Sequence, residues 1–254
     1  MWRPKFKSAT DPLHFYIVSG LVVVGAILMW AALHFGMPFP DEASEQALTI
    51  DALIQGHLVL IAFLFSLVVV FMLYAIVMFR KREGDEEDGA HFEGNTTLEI
   101  VWTVAPLILV VIFAFWGIRS LNTITATKSN EMVIDVRGLQ WAWEFTYDNN
   151  VKSQDLVLPL NRPILVKMHS EDVMHGFWVR EFRVKQDVVP LGEGNYTYLR
   201  FTPTKVGEYT LGCTVLCGLR HWAMVAKVKV VPEADFTVWM NSELAKENPA
   251  LASK

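Results

Sequence analysis

The chain has 254 residues, of which 52% are hydrophobic, and it carries a formal net charge of −5. This length suits one packed domain together with membrane spans and argues against a large multi-domain enzyme. The basic excess that attracts a phosphate backbone is missing, so nucleic acid is not an expected partner. Only two cysteines are present, which argues against the disulfide framework of a small secreted protein.

Three apolar stretches, at 15–33, 58–79 and 100–118, contain no Asp, Glu, Lys or Arg. Each has roughly the 20 residues that a helix needs to cross the hydrocarbon core of a membrane. We therefore expect three transmembrane helices, at about 15–36, 55–80 and 98–118. A cleaved signal peptide is the alternative for the first stretch. Because its apolar run exceeds the roughly 7–15 residues of a signal core, we expect the helix to be retained.

The basic residues that flank these stretches predict the orientation of the chain. Arg3, Lys5 and Lys7 precede the first stretch, and a basic cluster at 80–82 follows the second. The loop at 39–51 is acidic and has no Lys or Arg. Basic flanks remain in the cytoplasm, so the polar loop that follows residue 82 should be cytoplasmic. The C-terminal half is expected on the periplasmic or extracellular side of a prokaryotic plasma membrane.

From residue 131 onward, short runs rich in Val, Ile, Thr, Tyr and Trp alternate with turn residues, a pattern typical of an all-β sandwich. The predicted strands are 132–136, 140–147, 164–169, 196–201, 207–211 and 223–231, and a surface helix is predicted at 233–247. The expected class is thus membrane-anchored α plus all-β. Its regions are a membrane part at 1–121, an extracytoplasmic domain at 122–232 and a C-terminal helix and tail at 233–254.

The loop 213–224 holds Cys213, Cys217, His221 and Met224 between two predicted strands. Soft sulfur together with imidazole suits copper. Zinc is an alternative, because two cysteines and two histidines complete a tetrahedral site, and a disulfide between the cysteines is another. The methionine thioether favours copper, for which it is a familiar weak ligand.

The second cysteine favours a pair of copper ions over a mononuclear site, which uses one Cys. Since the loop supplies only one histidine, another must come from elsewhere in the β-domain. His175 follows a polar, turn-rich run that favours an exposed position at the end of the sandwich. His169 ends an alternating strand pattern and is more simply a strand residue. His175 is therefore the better candidate.

The C-x3-C-x3-H-x2-M loop, preceded by 171–175 (Glu-Asp-Val-Met-His), closely resembles subunit II of the heme-copper oxidases, which carries the binuclear CuA centre. The segment 98–103 resembles the start of the last membrane helix of that family, and 138–143 resembles its aromatic motif near copper. The resemblance runs from the second span to Val231. It implies a cupredoxin-like β-sandwich and these ligands: His175, Cys213, the backbone carbonyl of Val215, Cys217, His221 and Met224.

The resemblance also implies roles for two residues outside the ligand set. Trp141 would accept the electron from the donor, although a buried strand aromatic is the simpler reading of that position. Trp143 is expected in the core. Glu99 would stand near the mouth of a proton channel of subunit I, the simpler reading being a solvated carboxylate at a helix start.

By this resemblance, the chain is the subunit of an oxidoreductase that takes electrons from cytochrome c or a small copper protein. It passes them to the heme of subunit I for oxygen reduction, in a complex with other oxidase subunits and membrane lipid. The alternatives are the same subunit in a nitric oxide reductase, and a membrane-anchored copper carrier or sensor. The intact ligand set argues against quinol-oxidising relatives.

Three features depart from the family pattern. Most members have glutamate at the position of Val215, where its carboxylate joins a magnesium site, and valine supplies no carboxylate. The resemblance therefore does not carry the magnesium site over. Pro190 is not followed by the usual Gly-Arg, and the first of the three predicted spans is additional.

Overall fold

A computed structural model describes residues 11–81, 84, 93–192 and 194–247. The predicted tail after residue 247 and most of the predicted cytoplasmic loop lie outside these residues. So do Arg3, Lys5, Lys7 and Arg82, on which part of the orientation argument rests.

Three long helices occupy the positions of the three apolar stretches: α1 (Pro12–Gly36), α2 (Glu45–Met78) and α3 (Thr96–Thr125). Among the described residues, these are the helices long and apolar enough to cross a membrane, which confirms the three apolar helices of the predicted class. α2 begins ten residues before the predicted span and α3 ends seven residues after it. Hydropathy marks the part of a helix that suits lipid, whereas the backbone hydrogen-bond ladder continues into water.

The chain forms two compact units: Met1–Phe39 with Ala52–Phe115, and Pro40–Asp51 with Trp116–Lys254. In the helical unit, α1 packs on α2 through small side chains. The Ser66 hydroxyl donates to the Val22 carbonyl at 2.8 Å, and both residues are buried. The additional first helix is thus tied to α2 by a hydrogen bond between helices as well as by apolar contact.

The second unit is a sandwich of two five-stranded sheets. Its strands are β1 (Met132–Leu139), β2 (Ala142–Thr146), β3 (Lys152–Ser153), β4 (Leu156–Pro159), β5 (Ile164–Ser170), β6 (His175–Val179), β7 (Val184–Val188), β8 (Thr197–Phe201), β9 (Gly207–Cys213) and β10 (Val225–Val231). One sheet has the order β3-β2-β1-β5-β8 and the other β4-β10-β9-β6-β7. Together with the three apolar helices, this confirms the predicted class.

The core lies between the two sheets, because alternate residues of the strands point inward. β5 alternates strictly between buried and half-buried residues. Phe145, Phe177, Phe182 and Phe201 from different elements are all fully buried. The helix α4 (Glu233–Glu247) has the predicted bounds, and its Trp239 lies against Tyr147 at a ring distance of 5.0 Å.

The six predicted strands are all present, with corrected ends. Residues 140–141 form a turn before β2, Tyr196 precedes β8, and Ala223 lies in a short 3-10 helix. The prediction missed β3, β4, β6 and β7. Each of these has at most five residues, and they contain Gly, Pro or charged side chains. Their pairing with neighbouring strands decides their conformation, since β propensity depends strongly on context.

The segment Pro40–Asp51, between α1 and α2, is joined to the β-sandwich. The Ala43 N–H donates to the Glu181 carbonyl, and the Thr204 N–H donates to the Ala43 carbonyl. Ser44 forms an isolated β-bridge with Pro203. The sequence did not predict this contact, because nothing in an acidic loop indicates which distant backbone it will pair with.

Candidate metal centre

The loop 213–224 joins two neighbouring strands of one sheet, β9 and β10. Its base is closed by a hydrogen bond from the Cys213 N–H to the Met224 carbonyl at 3.1 Å. His221 begins a short 3-10 helix inside the loop. The strand pair therefore fixes both ends of the loop, whose donor side chains lie close to one another.

The two thiols lie together, and each has its own imidazole. The Sγ atoms of Cys213 and Cys217 are 3.7 Å apart. Cys213 Sγ is 3.9 Å from His175 Nδ1, and Cys217 Sγ is 3.6 Å from His221 Nδ1. Both cysteines are free. Their separation is well beyond a disulfide bond of about 2 Å, so the disulfide alternative does not describe this arrangement.

Two further donors complete the cluster. The carbonyl oxygen of Val215 lies 3.3 Å from Cys213 Sγ, and Met224 Sδ lies 3.8 Å from Cys217 Sγ. Met224 is fully buried. All six candidate ligands of the sequence analysis are therefore brought together, although their role as ligands stays a prediction.

His175 comes from β6, which lies beside β9. We expected this histidine in an exposed turn, and that expectation was wrong: His175 is fully buried. It is the first residue of a strand that pairs on both sides, with β7 and β9. At the next position, a Cβ on Gly176 would lie 2.4 Å from Thr214 Oγ1. Glycine is needed there for the strand and the loop to approach this closely.

His169 is not part of the cluster. It lies on β5 in the other sheet, and its Nε2 is 3.2 Å from the Glu171 carboxylate. The simpler reading of His169 as a strand residue is consistent with this position.

The chemistry of the donor set fits a soft metal cation. Cys217 is buried, and burial together with the adjacent Cys213 thiol raises the pKa of Cys217 to about 11. Two thiolates at this distance repel each other in a dry environment and need a positive charge between them. Thiolates, imidazoles and a thioether are the ligands that copper prefers, and zinc does not commonly use the thioether.

Asp172 is a residue of this site that the sequence analysis did not single out. Its Oδ1 is 2.8 Å from His175 Nε2, and its Oδ2 accepts the Gln140 N–H at 2.7 Å. Burial acts to raise the pKa of Asp172, but these contacts and the Val173 N–H outweigh it, so the pKa is lowered. A carboxylate at Nε2 leaves Nδ1, the atom facing Cys213, free to bind a metal.

Asp172 stands three residues before His175, and only the fold shows that its carboxylate turns back to the ring. Metal-binding histidines usually bond a carboxylate or carbonyl through their other nitrogen. An acidic residue a few positions from a candidate histidine is therefore the sequence signal that could have identified Asp172.

The two tryptophans have different environments. Trp143 is buried, as expected, with its ring 6.0 Å from that of His175. Trp141 is half-buried, and its ring lies close to the backbone of Gly218, the residue after Cys217. The proposed role of Trp141 in accepting electrons is not decided by this position and stays a prediction.

Glu99 lies in the helical unit, in the first turn of α3. Its Oε1 accepts the Asn95 N–H at 3.3 Å, and the Asn95 side chain accepts the Leu98 N–H at 3.1 Å. These contacts cap the helix, as expected for a carboxylate at a helix start. The proposed role of Glu99 in proton uptake stays a prediction.

Comparison with known proteins gives the family. The model of the cytochrome c oxidase subunit II transmembrane domain matches residues 15–120, and the model of its periplasmic domain matches residues 150–231. Together they cover well over half of the chain, which belongs to the cytochrome c oxidase subunit II family. The chain is therefore a membrane protein with a periplasmic C-terminal domain, and a subunit of an oxidoreductase complex. The family implies copper and a subunit I partner.

Two relatives and one solved structure show what this chain is similar to. Cytochrome c oxidase subunit 2 of Thermostichus vulcanus is 29% identical over 95% of this chain and 88% of its own length. The same subunit of Synechocystis sp. is 26% identical over 91% of this chain and 83% of its own length. The crystal structure of the periplasmic domain of subunit II from Bradyrhizobium japonicum is similar with a TM-score of 0.43 and 26% identity, over 48% of this chain and 99% of that chain.

Proposed function

We propose that this chain takes up electrons for a respiratory oxidase at a binuclear copper site formed by His175, Cys213, Val215, Cys217, His221 and Met224. The donor is cytochrome c or a small copper protein, and the acceptor is the heme of subunit I, where oxygen is reduced. One observation carries the proposal: two thiols lie 3.7 Å apart, and each lies beside a different imidazole, at 3.9 Å and 3.6 Å.

This pairwise arrangement favours two ions over one. A mononuclear blue-copper site uses a single thiolate with two imidazoles, whereas here the donors divide into two sets around a shared pair of sulfurs. Val215 offers its carbonyl on the Cys213 side and Met224 its thioether on the Cys217 side. A copper pair bound there would supply reversible storage of one electron at a time.

The protein residues would hold this site rigid and keep water from its inner donors. Met224, Cys217 and His175 are 2% exposed or less, whereas Cys213 and His221 are half-buried. His175 is held by Asp172, and the loop is held by the β9–β10 pair. Small rearrangement on a change of charge favours rapid electron transfer, because ordered groups in a water-poor site need not reorganise.

The outer side of the loop supports contact with protein partners. Leu216, Leu219 and Trp222 are each more than 80% exposed, and they flank the ligands Cys217 and His221. Exposed apolar groups of this size, close together in the chain, are typical of interaction sites. The proposal therefore includes docking of a protein partner beside the metal centre.

The decisive experiment is copper counting and low-temperature EPR on the intact chain in detergent after copper loading. The intact chain is preferable to an isolated periplasmic fragment because Pro40–Asp51 packs into the β-unit. We expect two coppers per chain and the hyperfine pattern of a mixed-valence pair. A single copper with a mononuclear spectrum would contradict the proposal and favour a copper carrier or sensor, and silent zinc binding would favour a structural site.

The terminal acceptor is a separate question. Val215 supplies no carboxylate between the cysteines, and on that ground the same subunit in a nitric oxide reductase is a second candidate. Two measurements on the purified complex separate these candidates. One is its consumption of oxygen and of nitric oxide, and the other is the identity of the metal beside its active heme. Oxygen reduction with copper beside the heme is the result we expect.

A further inference from the structure

Gln140 lies between two segments that carry proposed ligands. Its backbone N–H donates to Asp172 Oδ2 at 2.7 Å, and Asp172 Oδ1 is 2.8 Å from His175 Nε2. Its side-chain amide donates to the Cys217 carbonyl at 2.7 Å. Three short hydrogen bonds thus connect His175, Asp172, Gln140 and Cys217. We call this series the Gln140 bracket.

The Gln140 bracket depends on close approach at Gly218. A Cβ added to this residue would lie 2.9 Å from Gln140 Nε2 and 3.3 Å from Trp141 Cζ2. Gly218 also has φ of +115°, a conformation that side chains disfavour. Glycine therefore allows both the Gln140 amide and the Trp141 ring to lie against the loop beside Cys217.

No hydrogen bond to a described residue fixes the ring of Trp141. Its indole nitrogen is buried and finds no acceptor within the part of the chain that the structure describes. A buried indole N–H usually has a partner. The ring position consequently depends on contact with Gly218 and on the preceding residue, Gln140, which is held at both its backbone and its side chain.

We propose that Gln140 is a positioning residue for electron uptake, holding Trp141 against the Cys217–Gly218 backbone through the Gln140 bracket. The inference rests on the proposed function, since it assumes copper at Cys217 and electron entry at Trp141. The bracket also provides a short connection of covalent and hydrogen bonds: from Trp141 to Gln140, across the amide to the Cys217 carbonyl, and on to Cys217 Sγ. The Gln140 amide bonds the Cys217 carbonyl and not the Sγ atom that is the proposed ligand.

The test is Gln140→Leu in the intact oxidase complex, with Gln154→Leu as the matched control on an exposed glutamine of the same domain. Transfer would be started by a light flash from a ruthenium-labelled c-type cytochrome, and steady-state oxidation of the same cytochrome would separate kcat from KM. A neutral hydrogen bond contributes about 1 kcal/mol, so its loss changes the population of the connected arrangement about fivefold. We expect the first-order transfer rate to fall about fivefold, with KM and the copper EPR spectrum unchanged.

Two results would overturn the inference. A transfer rate equal to that of Gln154→Leu would show that the bracket does not matter for uptake. An altered EPR spectrum would show that Gln140 supports the metal instead of Trp141. If Gln140→Leu does not fold, Gln140→Asn keeps an amide that is one methylene too short to reach the carbonyl, and the same slower transfer is expected. A wild-type complex without a mixed-valence signal would instead reject the proposed function.

Gly218→Ala approaches the same hydrogen bond from the other side. Because its Cβ would displace the Gln140 amide, we expect it to slow transfer in the same way, and the double variant to be no slower than the slower single variant. Additive effects of the two substitutions would contradict a shared role, since residues that act through one contact are not independent.

Discussion

The β-unit has two polar regions that differ in how completely their polar groups are paired. Where Pro40–Asp51 meets the sandwich, the buried Asp51 carboxylate accepts hydrogen bonds from Nε and Nη2 of Arg183, each at 2.8 Å. The buried Ser44 hydroxyl also makes two hydrogen bonds. At the candidate metal centre, the buried Trp141 and Trp143 indole nitrogens and the Thr214 hydroxyl have no partner among the described residues.

This difference separates a structural contact from a functional site. Unpaired buried polar groups cost free energy and are therefore rare in protein interiors. Here they lie beside two thiols that are 3.7 Å apart. This arrangement suits the binding of a cation and does not stabilise the fold. The Arg183–Asp51 pair is the opposite case, because its buried nitrogen and oxygen atoms all have hydrogen-bond partners. Substitutions in both regions test this distinction.

The largest effect is expected for Cys213→Ser. A hydroxyl is a poor ligand for a soft metal, so we expect bound copper to fall from two per chain to at most one, with loss of the mixed-valence EPR signal. Thr214→Val is the control, because it removes an unpaired hydroxyl from the same loop without changing shape and should keep both coppers. Full copper retention in Cys213→Ser would mean that this thiol is not a copper ligand.

A large loss of stability is expected for Asp51→Ala. Side-chain exposures are 10% for Arg183 and 6% for Asp51, so the substitution leaves a charge buried and unpaired, which costs roughly 3–5 kcal/mol. Denaturant unfolding of the intact chain in detergent measures this cost. Lys205→Ala removes one partner of the exposed Asp41 pair and should leave the unfolding midpoint unchanged. Equal effects of the two variants would contradict the structural role of Arg183–Asp51.

An intermediate effect is expected for Tyr147→Phe. The buried hydroxyl donates to the Val157 carbonyl at 3.0 Å and accepts the Val157 N–H at 2.7 Å. Removing it leaves two buried backbone groups unpaired, at roughly 1–3 kcal/mol. Unfolding of the variant and of the wild type at neutral pH measures the difference.

The same residue gives a pH dependence with a defined sign. Burial raises the pKa of Tyr147, so the unfolded state loses this proton first as pH rises. Its contribution to stability is complete below about pH 10 and is lost above it, at about 1.4 kcal/mol per pH unit. Tyr147→Phe should lack this part of the alkaline slope, whereas Tyr198→Phe, at an exposed position, should retain it. An unchanged slope in Tyr147→Phe would contradict the assignment.

The smallest effect is expected for Ser44→Ala. Ser44 precedes α2, and its Oγ accepts the Ala47 N–H at 3.0 Å and donates to the Phe182 carbonyl at 2.8 Å. Loss of such a cap costs about 1 kcal/mol. Ser242→Ala removes an exposed hydroxyl and should be nearly neutral. If Ser44→Ala is as mild as this control, the paired groups at Pro40–Asp51 contribute less than the comparison implies.

Much of the fold and site could be predicted because the signals are local. Apolar runs of about 20 residues predict spans from their length alone. The helix α4 was predicted with the same ends that the structure has, Glu233 and Glu247. Five of the six candidate ligands, including the Val215 carbonyl, fall within twelve consecutive residues. A loop that short keeps its donors near one another whatever the rest of the domain does.

Local sequence patterns therefore predict the three apolar helices, the class of the periplasmic domain and the soft donor set of the loop. The tertiary structure decided the rest: the burial of His175 between β7 and β9, the turn of Asp172 toward its imidazole, the Gln140 bracket, and the pairing of Pro40–Asp51 with the sandwich. Except for the contact between Asp172 and His175, these contacts join residues far apart in the chain. Only the pairing of strands and sheets sets which backbone groups meet, and no local pattern encodes that choice.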